Sequence, residues 1–179
     1  MDMNVEDTLA LWRSEEKAVR ERHGANIGYA RPEQVKDRTG LEIFAGIFSG
    51  ELPRPPMGDT LDFVLIRVES GVAVFQGRPQ LKHYNPLGTV HGGWAATLLD
   101  SAMGCAVQST LPAGKAYTTL EFKVNLVRAL TDAVPLVRAE GKMVHAGRQV
   151  ATSEARLVGP DGKLYAHGST TCLIFDRPS

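Results

Sequence analysis

Residues 94–110, WAATLLDSAMGCAVQST, which follow GTVHGG, constrain this chain more than any other stretch. They are rich in helix formers, and Leu111-Pro112-Ala113-Gly114 ends the run. At 100° per residue, Trp94, Ala95, Ala96, Leu98, Leu99, Ala102, Met103, Cys105, Ala106 and Val107 spread around most of the circumference. A helix apolar over most of its surface has to be buried. Gly93, Thr97, Asp100, Ser101, Gly104 and Gln108 share the remaining strip, roughly 100° wide. That strip is small and polar, with glycine on both sides of Asp100.

The rest of the chain supplies the cover. Leu61–Val68 and Val72–Gly77 are rich in branched and aromatic residues, and Glu69-Ser70-Gly71 turns one into the other. After the helix, the spacing predicts strands over Tyr117–Val127, Val134–His145, Gln149–Val158 and Leu164–Phe175. Gly159-Pro160-Asp161-Gly162 is a strong turn between the last two. Strand runs without helices between them form an antiparallel sheet. The expected class is therefore α+β, one long central helix wrapped by about six strands. Ahead of this lie helices over Val5–Arg22, ended by His23-Gly24, and over Thr39–Phe48, closing at Gly50. A loop is expected around Tyr29–Pro32, and the prolines of Leu52–Pro56 mark a connector. Residues 1–38 read as a helical extension and 39–179 as the main domain.

Charge and composition exclude several functions. With 20 basic and 20 acidic residues, the chain lacks the basic excess of a nucleic-acid binder or of a protein drawn to an anionic membrane. No apolar run reaches the ~18 residues of a membrane span, and the acidic N-terminus is not a signal peptide. Cys105 and Cys172 are too few for a disulfide scaffold and read as packed free thiols in a reducing cytoplasm. His83, His145 and His167 have no second ligand at metal spacing, so neither a metal nor a cofactor is expected. Lys123, Arg128 and Arg138 read as exposed strand residues, and Trp94 as core or as a pocket wall.

The chemistry concentrates around the buried helix. A carboxylate there must be paired or hydrogen-bonded. Asp100 can meet that demand in a structural network with Thr97 or Ser101, or as a reactive group beside a ligand groove. The preceding turn, Asn85-Pro86-Leu87-Gly88-Thr89-Val90-His91-Gly92-Gly93, opens onto the helix start. The first amides of a helix lack internal partners and suit an anion or a developing oxyanion. An oxyanion at Gly92 and a carboxylate about two turns up are the parts that acyl hydrolysis without a metal requires.

Asn85-Pro86-x-Gly88-Thr89-Val90-His91-Gly92-Gly93-x6-Asp100 resembles the signature of the hot-dog-fold thioesterases, in the PaaI-like branch. Tyr117–Asn125, Gly147-Arg148, Asp161-Gly162-Lys163 and Gly168-Ser169-Thr170 fit as well, so the resemblance spans about Thr39–Phe175. It implies dimers with a continuous sheet, paired into tetramers, that hydrolyse acyl-CoA to CoA and a free acid. It assigns Asp100 as the catalytic carboxylate and Gly92 as the amide that polarises the carbonyl. Asn85 helps hold water or thioester, His91 lies near the carbonyl, and Thr119 aligns the water. The resemblance implies that Asn85, His91 and Gly92 of one chain face Asp100 and Thr119 of the other. Some relatives have Glu at the Asp100 position and a hydroxyl residue where this chain has Gly104.

The hairpin pair Gly147-Arg148 is a candidate contact for a CoA phosphate, with a solvated arginine as the plain alternative. Aromatic and medium-chain acyl groups both fit. Two other functions suit the same fold: a non-catalytic acyl-CoA binding or sensing module, and an enoyl-CoA hydratase or dehydratase in which His91 and Asp100 form the acid–base pair.

Overall fold

A computed structural model describes residues 4–23 and 26–177; Gly24, the expected end of the first helix, lies outside them. The elements in chain order are α1 (Val5–His23), α2 (Pro32–Val35), α3 (Gly40–Phe48), α4 (Met57–Leu61), β1 (Phe63–Glu69), β2 (Val72–Gly77), a 3-10 turn (Leu81–His83), α5 (Gly92–Gln108), β3 (Lys115–Leu126), β4 (Val137–Ala146), β5 (Val150–Val158) and β6 (Leu164–Asp176). The six strands form one sheet in the order β1-β2-β4-β5-β6-β3, with every pairing antiparallel. This is the α+β arrangement expected from the sequence.

Local chemistry explains the boundaries. Thr39 caps α3 reciprocally: its hydroxyl accepts from the Glu42 amide, and Glu42 Oε2 accepts from the Thr39 amide at 2.7 Å. Gly71 takes φ +78° in the β1–β2 hairpin, a conformation that glycine adopts without strain. The two short helices α2 and α4 are unforeseen: α2 begins at the last residue of the expected loop, and α4 follows the expected connector and takes Leu61 from the start of the expected first strand. Pro32 starts α2 at the position where its missing N–H is harmless. Each has only a turn or so of helix, too short for periodicity to register.

The sheet wraps α5 through Leu98, Leu99, Ala102, Met103 and Ala106, all fully buried. Small residues let the layers approach closely. A Cβ at Gly141 of β4 would overlap the Ala102 carbonyl and lie 2.9 Å from the Met103 amide nitrogen. Both are helix backbone and cannot yield cheaply. Gly141→Ala is expected to destabilise the protein by about 3 kcal/mol in urea unfolding, the scale of overpacking a core. Trp94 is core: it is buried, stacks on His83 and donates from Nε1 to the Leu61 carbonyl at 2.8 Å.

α1 covers the other face of the sheet. Gln76 Nε2 donates to Glu16 Oε2 at 2.8 Å, and Trp12 is buried. Arg138 departs from the sequence reading. Its side chain is only 11% exposed, its guanidinium lies 4.4 Å from the Trp12 ring centroid, and it pairs with Glu15. Its Nε also donates to Gln76 Oε1 at 2.9 Å. Strand alternation correctly turns Arg138 away from α5; α1 then lands on that face and buries it.

At the opposite edge, β3 has no strand beyond it among the described residues. Leu120, Phe122 and Leu126 are exposed along it.

Candidate active site

The segment before α5 is built around Asn85. Its Oδ1 accepts from the Leu87 amide at 2.8 Å and the Thr89 amide at 3.4 Å, and its Nδ2 donates to Thr89 Oγ1 at 3.1 Å. Its backbone amide also donates to the Thr89 carbonyl at 2.8 Å. Asn85 therefore holds the turn that aims the helix start, with Gly88 at φ +80° completing it.

His91 is the N-cap of α5. Its Nδ1 accepts from the Gly93 amide at 2.8 Å, which leaves the ring proton on Nε2. The Gly93 amide is thus occupied, whereas the Gly92 amide has no partner among the described residues. Gly92 lines a cavity of about 210 Å³ with Asn85, Leu126, Arg128 and Tyr165. A Cβ at position 92 would lie 2.6 Å from Leu126 Cδ1, so a side chain there would invade this approach.

Asp100 occupies a second cavity, of about 240 Å³. Its Oδ1 accepts from Thr119 Oγ1 of β3 at 3.2 Å. Burial raises the carboxyl above the ordinary aspartate value, and the Thr119 hydrogen bond partly opposes the shift. The structure therefore pairs Asp100 with Thr119, rather than with Thr97, whose hydroxyl donates to the Gly93 carbonyl. Gly104 is small because Tyr117 lies against it. Burial, with Asp100 nearby as a lesser cause, pushes the Cys105 thiol up to about 12, leaving it protonated at neutral pH.

Gly92 and Asp100 are eight positions apart on α5. That spacing separates them by about 12 Å along the axis and about 80° around it. They line different cavities. Gly147 and Arg148 lie at neither. They sit at the β4–β5 tip, where the Gly147 amide donates to the Val150 carbonyl at 2.8 Å. That tip extends past the C-terminal end of α5, where Met143 meets Thr110.

Sequence reasoning passes over two features. Arg128 is exposed, as expected, and it also lines the cavity at Gly92, a placement that strand alternation does not mark. The Asp100 cavity is walled by α1, α3 and α4 through His23, Phe44 and Met57, besides the core strands. No local pattern marks those residues, because tertiary packing alone brings them there.

Fold and site define a hot-dog protein with a carboxylate on its central helix. The sequence signature of the thioesterase superfamily matches residues 87–166. Among solved structures, a phenylacetic acid degradation-related protein of Ralstonia eutropha is 29% identical, with a TM-score of 0.67 over 73% of this chain and 98% of its own. A conserved protein of Pseudomonas aeruginosa is 30% identical, with a TM-score of 0.62 over 66% of this chain and 93% of its own. A mutant of the phenylacetic acid degradation protein PaaI of Thermus thermophilus is 28% identical, with a TM-score of 0.59 over 66% and 97%. A protein of Halobacterium salinarum named as an esterase is 40% identical over 76 residues, 41% of this chain and 48% of that relative. The chain belongs to the thioesterase superfamily, with PaaI-type proteins among its structural neighbours. Among the described residues, no helix is long and apolar enough to cross a membrane, and no group of three or more His, Cys, Asp or Glu could hold a metal.

Proposed function

We propose that this protein is an acyl-CoA thioesterase that releases a free acid and CoA from an aromatic or medium-chain acyl thioester. The observation that carries the reading is the pairing of an unpartnered amide at Gly92 with a half-buried carboxylate at Asp100 on one helix. One substrate carbonyl cannot meet both within a chain, given the ~12 Å between them. A second copy brings them together. The exposed apolar side chains and open edge of β3 suit a two-fold strand pairing that continues the sheet, and such dimers would associate into tetramers. In this dimer, Asn85, His91 and Gly92 of one protomer face Asp100 and Thr119 of its partner.

The Gly92 amide donates to the thioester oxygen and stabilises the charge that develops there. His91 presents its Nε2–H beside it, and Asn85 keeps the turn in register. Asp100, steadied by Thr119, takes a proton from water as the water attacks the carbonyl carbon, and the CoA thiolate leaves. In the direct alternative, Asp100 attacks the carbon and water then opens the mixed anhydride. Arg148, with Gly147, meets a CoA phosphate as the hairpin tip reaches it, and Arg128 stands ready at the Gly92 cavity. The reaction needs no cofactor, and a cytoplasmic setting suits a CoA ester.

Thiol release measured over a panel of CoA thioesters tests the proposal. Free CoA is expected. Loss of enoyl absorbance without free thiol would make the protein a hydratase, and binding without turnover a sensor. The acid limb of kcat/KM should lie above the ordinary aspartate range, because Asp100 works ionised and burial favours its protonated form. Thr119→Val removes a donor to the ionised carboxylate, so it should move that limb to still higher pH. An unmoved limb would detach Thr119 from the reaction.

A further inference from the structure

Two residue pairs join β3 to α5. Tyr117 and Thr119 are two positions apart on β3, so both side chains point to the helix. Asp100 and Gly104 are four positions apart on α5, so they share one face a turn apart. Thr119 donates to Asp100 at 3.2 Å. Tyr117 meets Gly104: a Cβ at position 104 would overlap the phenol oxygen and lie 2.9 Å from the ring carbon that carries it. That oxygen therefore stands where a side chain at 104 would begin. Cβ positions on a helix lean toward its N-terminus, which here is the Asp100 side. Tyr117 also lines the Asp100 cavity. Its hydroxyl makes no hydrogen bond among the described residues, yet it is not closed off from water as the His23 ring nitrogens in the same wall are. The chemistry above leaves it unused.

We propose that Tyr117 is a catalytic residue whose hydroxyl holds the water that Asp100 activates. The inference rests on the thioesterase reading and gives the attacking water a second anchor. Side chains four positions apart on a helix have Cβ atoms about 5–6 Å apart. Two hydrogen bonds of about 2.8 Å that meet at one water span the same gap. One hydrogen of the water points to the Asp100 carboxylate and the other to Tyr117 Oη, which leaves an oxygen lone pair for the carbonyl carbon. As the O–C bond forms, the first hydrogen passes to Asp100 as a proton. The C–S bond then breaks, and Asp100 returns that proton to the CoA thiolate. The hydrogen on the Tyr117 side stays with its oxygen and leaves with the acid. Burial, ahead of the Cys105, Cys172 and Asp100 charges, holds the phenol well above its ordinary value, so Tyr117 keeps its own proton throughout. Gly104 makes the placement possible, because a Cβ there would displace the oxygen.

Tyr117→Phe removes the oxygen and keeps the ring, so it tests the role directly. With the CoA thioester that the wild type hydrolyses fastest, kcat should fall by about 10–100-fold, the scale of a misplaced reactant, while KM stays within about twofold. The acid limb of the pH profile should stay in place, unlike that of Thr119→Val, because Tyr117 does not bond the carboxylate itself. The hydroxyl can also be moved. Tyr117→Val should lose as much activity, and adding Gly104→Ser should recover about tenfold or more, since the new oxygen falls near the old one. Adding Gly104→Ala instead should recover nothing, with thermal unfolding recorded for every variant. Failure of the wild type to release thiol from any thioester overturns the thioesterase reading and this proposal with it. Thiol release that Tyr117→Phe retains at the wild-type kcat overturns the proposal alone. So does a loss carried by KM alone, or a recovery with Gly104→Ser no better than with Gly104→Ala.

Discussion

Asp100→Asn should lower kcat/KM for thioester hydrolysis by about 10²–10⁴-fold and at the same time make the protein harder to unfold. The amide keeps an oxygen for the Thr119 hydroxyl, so the local geometry survives. It loses the carboxylate that takes the proton or attacks the carbon. The stability gain has a separate origin. Burial raises the Asp100 carboxyl above its ordinary value, so the folded state holds that proton more readily than the unfolded chain does. Ionised Asp100 therefore subtracts stability at neutral pH, and the subtraction fades as pH falls through the folded-state value. Removing a charge of this kind gains about 1 kcal/mol, or about 2–4 °C in a chain of this size. The gap between the two proteins should close as pH is lowered. Parallel activity and melting measurements across pH check this. A variant that stays active, or that melts lower at neutral pH, would contradict the role and the energetics respectively.

The second large effect is expected at Gly92. Gly92→Val should lower kcat/KM by about 10²–10³-fold, the scale of losing one donor to an oxyanion. The fold should persist. The group in the way is the end of Leu126, which is 61% exposed and free to swing aside. What changes is access, because the new methyl groups flank the amide that the thioester oxygen must reach. Circular dichroism melts should therefore stay within a few degrees of wild type while turnover collapses. A collapse of both together would mark Gly92 as a packing residue.

Much of this is legible in the sequence, and the reasons are specific. Val72–Gly77 and Val150–Val158 have branched residues bounded by turn signals, and their strands fall within a residue of expectation. The polar strip on α5 is legible too, because helical phase depends only on spacing. Placement is harder. Trp12 and Val19 show that α1 needs a surface to cover, but nothing in the chain says which face of the sheet receives it. Hence alternation makes Arg138 a solvated residue, whereas it lies beneath Trp12. His23 is legible as the end of a helix and not as a cavity wall, since that role comes from three separate helices converging on α5. The separation of Gly92 from Asp100 is implicit in their spacing, because a straight helix fixes it.

In the proposed dimer, one working site takes its amide from one copy of the chain and its carboxylate from another. Co-expression of Asp100→Asn and Gly92→Val chains tests this arrangement. A mixed dimer has one site with both defects and one with neither. Random assortment makes about half of all dimers mixed, so two nearly inactive proteins should together recover about a quarter of wild-type turnover. If mixing recovers nothing while mixed dimers are demonstrably present, amide and carboxylate do not act across the two protomers, and the account of the site is wrong.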